Sequence, residues 1–418
     1  MPKQKQDIFV PLGPAIQFDQ PGQKWNILKG VTVAAGEGDA VVSDGFDGAT
    51  LVNKGAIRGP IDEDSGVLFE SSDNATIDNR ETGYIAGFQG LYLQSLASAT
   101  VLNHGQIFGS SRALVADDAA NFTLENYGGV SGIDTAVDVS NTGGLSGPLI
   151  ENFGTMRAED TTIALRVPGA KAKIKNQPGA LIEGTNEFAI KVETGALKLI
   201  NKSTIIGSVE AAFSLNGFDD VIINSGTISG TVDDQAVNTQ YGDDTVINEG
   251  TITSNSSTLS AVFTSDGEDT VINEGTINGE VNLSGGDDVY KNKGGKVNGR
   301  IDPGQGNDKL VLGKKKDRIE FDNSVETAGA DRIKNFESGK DKFFLEEEEF
   351  PGLSLGPLQK SAFARGTEAK GDNAQIVFNK PNGNVWFDPD GTGPDGKILL
   401  AVLDEDTKLT HEDFTVFA

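Results

Sequence analysis

Val271-Ile272-Asn273-Glu274-Gly275-Thr276-Ile277-Asn278-Gly279 carries the skeleton on which the chain is built. Two β-formers precede an Asn, one free position follows, then a Gly and an aliphatic residue. The skeleton recurs at Asn53, Asn103, Asn126, Asn152, Asn224 and Asn248, with looser copies at Asn79, Asn176, Asn201 and Asn292. The steps between these asparagines are 26, 24, 23, 26, 24, 25, 23, 24, 25 and 19 residues. A step held near 24 marks a repeat architecture, in which no single repeat can bury its own apolar face and neighbours must stack.

Each repeat holds three short β-patterned pieces. One leads into the Asn, as in Thr245-Val246-Ile247. One follows the Gly, as at Ile107 and Ile228. The third is an Ala-led apolar run, as in Ala113-Leu114-Val115 and Ala189-Ile190-Lys191-Val192. Alternation between Gly, Asn and Asp punctuation reads as strands. Three strands per repeat, stacked in register, predict an all-β fold: a parallel β-helix solenoid of about twelve coils of ~24 residues from Trp25 to Leu312. The Asn is expected at a corner, in the left-handed conformation it tolerates, with its amide bonded to the Asn one coil above. The Gly two places on is expected to have positive φ.

The chain has 418 residues, 53 of them Gly, no Cys, and a net charge of −27 from 62 acidic and 35 basic residues. That charge disfavours nucleic acid and anionic membranes and favours cations. No apolar run is long enough to span a bilayer. Met1-Pro2-Lys3-Gln4-Lys5-Gln6-Asp7 lacks the apolar core of a secretory signal, so no such signal is expected. Residues 1–24, with Pro11 and Pro14 in an apolar stretch, are expected to be a cap on the first coil or an arm docking on a neighbour. Coils occupy 25–216, a modified set 217–313, and a β-rich unit without the Asn-x-Gly repeat 314–418.

In the modified set, acids enter the ladder. Four places before each Asn the early coils carry Ala49, Ala75, Ala99, Phe122, Pro148, Ala172 and Leu197; the late coils carry Asp220, Asp244, Asp269 and Asp288. Acids also precede these, at Asp219, Asp243, Glu268 and Asp287, and Asp308 continues the row after Asn307. Stacking places these carboxylates about one strand spacing, ~4.8 Å, apart. Bare carboxylates that close repel unless protonated or bridged by a cation. Carboxylates with turn carbonyls form the hard oxygen set that Ca²⁺ takes, strongest at Asp288 and Asp308. Gly304-Gln305-Gly306-Asn307-Asp308-Lys309-Leu310 contains the core of the glycine-rich calcium nonapeptide, so Gly304 and Gly306 join the candidate site.

At these residues the chain resembles the RTX (repeats-in-toxin) family, over about 217–418. Asp331-Arg332-Ile333-x-Asn335-Phe336-x-x-Gly339-x-Asp341 is similar to the segment that follows that family's repeats. Asn384-Val385-Trp386-Phe387-Asp388-Pro389-Asp390-Gly391-Thr392-Gly393 is similar to its Tyr-Asp-x-Asp-Gly-x-Gly element, and the ending Asp413-Phe414-Thr415-Val416-Phe417-Ala418 to its uncleaved export signal. The resemblance implies a calcium β-roll-like end, export by type I secretion machinery and folding outside the cell. Pro303 and Ser284 stand where the family has glycine, and Lys315 replaces a glycine before Asp317. Asp388 and Asp390 are candidates for one more cation, with a plain Asp-Gly turn the equal alternative. The early coils look like shafts of bacterial adhesins and autotransporters.

Catalytic motifs are missing from the sequence: no His-Glu-x-x-His, no Gly-x-Ser-x-Gly, and two histidines, His104 and His411. The expectation is a non-enzymatic, secreted, calcium-binding structural protein of the cell surface or matrix, assembling with its own copies into a layer, filament or adhesive coat. Its other expected partners are the secretion machinery and cell-surface polysaccharide, for which Lys171, Lys173, Lys175, Lys191 and Lys198 offer a basic patch. The alternatives are an epimerase or lyase acting on uronate polymers and a monomeric adhesin shaft.

Overall fold

A computed structural model describes residues 2–140, 147–211, 217–232, 234–322 and 329–418. The chain is all-β, 54% strand and 2% helix, and winds as a parallel β-solenoid of about 14 turns with coils ~24 residues apart. It divides into two compact units: Met1–Ser214 with Asp220–Ala236, and Leu215–Asp219 with Val237–Ala418. Among the described residues no helix is long and apolar enough to cross a membrane.

The first unit repeats three strands per coil, for example Thr50–Asn53, Ala56–Arg58 and Ser65–Glu70. Register is kept by the alternation of each strand, because a one-residue slip would turn every apolar side chain outward. Leu51, Ile77, Val101, Leu124, Ile150, Ile174, Leu199 and Ile222 pair in sequence, coil on coil. All eight are fully buried, so this wall of the solenoid is one continuous apolar column.

The described residues of the stretch before the repeats join the solenoid. Lys3–Gln4, Ile8–Val10 and Ile16–Gln17 pair in parallel with Lys24–Ile27, Thr32–Ala35 and Val41–Asp44, adding one rung. Their prolines fall between strands, where no ladder N–H is required.

The asparagines form the expected ladder. In the first unit Nδ2 of Asn53, Asn79, Asn103, Asn126, Asn152, Asn176 and Asn201 donates to Oδ1 of the next, ending on Asn224, at 2.8–3.0 Å. All eight are buried. Their local conformation differs from expectation: none has positive φ. Each ends a strand, and its Oδ1 can also accept the N–H two residues on, as Asn53 does from Gly55 at 3.1 Å. Gly294, after Asn292, has a positive φ of 101°, but the corner glycines Gly55, Gly105, Gly128, Gly154 and Gly226 likewise have none. They are there for space. A Cβ on Gly105 would lie 2.1 Å from the Gly83 carbonyl oxygen, and one on Gly128 would lie 2.0 Å from that of Gly105. Coils stacked this closely leave no room for a side chain at the corner.

In the second unit Val246, Val271, Tyr290, Leu310, Ile333 and Leu403 continue an apolar column. Residues beyond 314 keep winding: Arg318–Phe321 pairs in parallel with Lys342–Glu346, which pairs with Phe414–Phe417. The two turns added at 1–24 and beyond 314 raise the sequence estimate of twelve coils towards the number observed. Parallel order ends in an antiparallel meander of Gln375–Asn379, Asn384–Asp388 and Ile398–Leu403. Its closing core is aromatic, with Phe343 stacked between Phe336 at 4.8 Å and Phe414 at 5.0 Å.

Candidate metal centre

The acidic rows of the second unit alternate along each turn. Asp244, Asp269, Asp288 and Asp308 point inward and are 1% exposed; Asp243, Glu268 and Asp287 beside them are exposed. The inward carboxylates do stack, and hydrogen bonds join them. The backbone N–H of Asp244 donates to Oδ1 of Asp269, that of Asp269 to Asp288, and that of Asp288 to Asp308, each at 2.7 Å. Asp308 N–H donates to Oδ1 of Asp331 at 3.1 Å. The outer row is tied in the opposite sense: Asp243 N–H donates to Asp219 at 3.3 Å, Glu268 N–H to Asp243 at 2.9 Å, and Asn307 N–H to Asp287 at 2.8 Å.

One oxygen each of Asp269, Asp288, Asp308 and Asp331 is therefore used. The other, Oδ2 of Asp269, Asp288, Asp308 and Asp331, is buried without a hydrogen-bond partner. An orphaned anionic oxygen out of water is costly. Burial accordingly pushes Asp269 and Asp288 up to about 8, helped by the neighbouring carboxylates and opposed by the backbone N–H each accepts. Burial raises Asp308 and Asp331 in the same direction.

Glycine lines the turn beside this column. A Cβ on Gly267, Gly286, Gly306 or Gly329 would come within 1.7–1.8 Å of the carbonyl oxygen of the glycine one coil earlier, Gly242, Gly267, Gly286 or Gly306. Gly304 has φ of 82°, and Ser284 and Ser265 hold φ of 67° in the preceding turns. Ser284 thus occupies the same left-handed turn at the strain cost of a Cβ.

The fit to a cation is partial and specific. Among the described residues no three His, Cys, Asp or Glu side chains converge on one point. The column offers single unpartnered carboxylate oxygens, donors of the hard type Ca²⁺ takes when carbonyls or water fill its remaining positions.

Other expected ligands lie elsewhere. Asp220, in the first unit, is fully buried and accepts the Leu197 N–H with Oδ1. Asp388 accepts the Gly391 N–H at 2.8 Å within the meander, an Asp-Gly turn. Asp390 accepts the Asp395 N–H at 3.0 Å through Oδ2, and its Oδ1 is buried without a hydrogen-bond partner. In the basic patch, Lys175 pairs with Glu151 and Lys191 with Glu210, which leaves less free charge than the sequence suggested.

Three members of the acidic columns were missed. Asp331 completes the inner row, and Asp317 and Asp341 extend the asparagine ladder. Asn292 Nδ2 donates to Asp317 Oδ1 at 3.0 Å, and Asp317 N–H to Asp341 Oδ1 at 3.0 Å. The available signal was the Asp-x-apolar triplet: Asp331-Arg332-Ile333, Asp317-Arg318-Ile319 and Asp341-Lys342-Phe343 match Asp308-Lys309-Leu310. The tail motif has structural work of its own. Asn335 takes φ of 64°, and Ser338 and Gly339 donate to buried Asp413 at 2.7 Å.

Comparison with protein-family models, with curated proteins and with solved structures gave no match.

Proposed function

We propose that this chain is a structural solenoid of the cell exterior whose second unit is locked by calcium, and that it acts as a scaffold assembling with its own copies. The observation that carries the calcium reading is the column of orphaned Oδ2 atoms on Asp269, Asp288, Asp308 and Asp331. These residues would hold the ions, with the carbonyls of Gly242, Gly267, Gly286 and Gly306 alongside. Bound calcium would supply positive charge to carboxylates that otherwise need protons. The exterior setting draws support from the absence of Cys, the net charge of −27 and the resemblance of residues 331–341 and 384–393 to an exported family. Assembly is the use to which a repeat scaffold without catalytic motifs is best suited.

Calorimetry on chelator-treated protein tests the metal. Calcium uptake with a rise in melting temperature, lost in Asp288→Asn and Asp308→Asn together, is expected; unchanged melting on adding calcium rejects the reading. Electron microscopy with and without calcium tests assembly, and monodisperse monomers under both conditions reject it.

A further inference from the structure

At three consecutive corners of the first unit the free position between Asn and Gly is aromatic: His104, Tyr127 and Phe153. Their rings stack on the outside of the solenoid. His104 and Tyr127 lie 4.6 Å apart with planes 4° from parallel, and Tyr127 and Phe153 lie 4.5 Å apart at 5°. Tyr127 and Phe153 are 43% and 37% exposed. Tyr127 covers one face of the His104 imidazole. The other face looks back toward the two preceding corners, which carry Lys54 and the longer turn Arg80-Glu81-Thr82. A cavity of about 380 Å³ lies there, lined by Val52, Lys54, Arg80, Glu81, Thr82 and His104. That volume falls within the range of small-molecule sites, roughly 300–1,000 Å³.

The lining selects a chemistry. The ring wall is planar, half-buried and backed directly by the Tyr127 ring, which suits the apolar C–H face of a pyranose. Lys54 and Arg80 bring two cations to one side; Arg80 is tied to Asp78 by an ion pair, which holds its guanidinium in place. Glu81 offers an acceptor for sugar hydroxyls, and the Thr82 hydroxyl, which donates to the Lys54 carbonyl at 2.7 Å, keeps its lone pairs to accept. A purely aromatic ligand would bury charges without partners, at a cost. A simple inorganic anion would leave the imidazole face unused.

We propose that this cavity binds an acidic sugar residue of a glycan, its ring stacked on His104 and its carboxylate held by Lys54 and Arg80. The site is independent of the calcium column and of the lysine patch at 171–198, so it stands or falls separately from the proposed function.

The test is titration of the full chain, in chelator, with an oligogalacturonate trisaccharide and with its neutral galactose counterpart. Wild-type protein binds the acidic trisaccharide, and the neutral one binds about tenfold more weakly, the loss of a charge-assisted contact. His104→Ala and Lys54→Gln each weaken binding by about fivefold or more. Two controls keep the result interpretable. Phe153→Ala removes the far ring of the stack without touching the cavity, and Lys202→Gln removes a corner lysine elsewhere; both retain wild-type affinity. The proposal is overturned by no binding at millimolar concentrations, by equal affinity for the neutral trisaccharide, or by His104→Ala and Lys54→Gln proteins that bind as wild type while melting cooperatively.

Discussion

The backbone N–H of Asp269 donates to Oδ1 of Asp288 at 2.7 Å, while Oδ2 of Asp288 is buried with no hydrogen-bond partner. A carboxylate in that position is half satisfied. It serves the neighbouring coil as an acceptor in either protonation state, yet its charged form has lost water at one oxygen. The behaviour of the second unit towards pH and metal follows from this division.

Without metal, the second unit is expected to be more stable in mild acid than in base. Asp269 and Asp288 titrate near 8 in the folded chain against 3.8 for the ordinary group. Between those values the folded state binds more protons than the unfolded one, so stability falls as pH rises from about 4 through 8. Trp386 lies in the second unit and Trp25 in the first, so a Trp25→Phe protein reports on the second unit by fluorescence. Its melting temperature in chelator drops between pH 5 and pH 8.5. On the calcium proposal, the ion takes the ionised form and shrinks or reverses the drop. A flat profile in chelator rejects the assignment.

Asp288→Asn separates the two oxygens. The amide keeps an acceptor for the Asp269 N–H and cannot ionise. In chelator at pH 8.5 the variant melts higher than the parent, by an amount on the order of 1–2 kcal/mol. With saturating calcium it melts lower. Denaturant melts at two pH values, with and without calcium, check both signs.

Asn126→Ala breaks the ladder at its middle. Asn126 Oδ1 accepts from Asn103, and its Nδ2 donates to Asn152, at 2.8 Å each. The truncation leaves a buried donor and a buried acceptor short of a partner, at about 1–3 kcal/mol each. A loss of about 3 kcal/mol in urea unfolding is expected, whereas a loss under 1 kcal/mol refutes the ladder as a stabilising element.

Gly105→Ala and Gly169→Asn distinguish the two uses of glycine. A Cβ at 105 meets the Gly83 carbonyl oxygen at 2.1 Å, so the coils must part, at about 2–3 kcal/mol or more. Gly169 has φ of 71° and nothing within 4 Å of its Cβ direction, and Asn tolerates that conformation. Gly169→Asn is expected to stay within about 1 kcal/mol of the parent, and thermal melts of the pair give the comparison.

The solenoid was legible because its cause is periodic. Asn53 through Asn292 mark rungs at a near-constant step, and alternation about residues such as Ile77 and Val101 assigns the inner face. The reason for the corner was not legible. Asn and Gly suggest left-handed backbone, but here Asn103 ends a strand and Gly105 makes room for Gly83, a contact made across coils that no local pattern displays. Asp220, Asp244, Asp269 and Asp288 were found because an Asn follows each four places later, and Asp308 through its glycine-rich turn. Asp331 escaped, although Asn335 follows it four places later, because the step from Asp308 widens to 23 residues and the glycine-rich turn is lost. The aromatic stack was invisible in the same way: His104, Tyr127 and Phe153 are 23 and 26 residues apart, and only the coil lengths bring them into line.

In the first unit every side-chain amide from Asn53 to Asn201 donates to the Asn of the next higher-numbered coil, so the amide dipoles add, as peptide dipoles do along an α-helix. The electropositive pole of such an array faces the later turns. In the second unit Asn292 aims its amide at Asp317, whose N–H in turn meets Asp341. Aspartate in place of asparagine there sets a negative group against the donor end of the Asn292 amide, the counterpart of an acidic residue at a helix N-terminus. The amides of each unit thus point one way, and the aspartates of the second unit are matched to the sign of the pole they face.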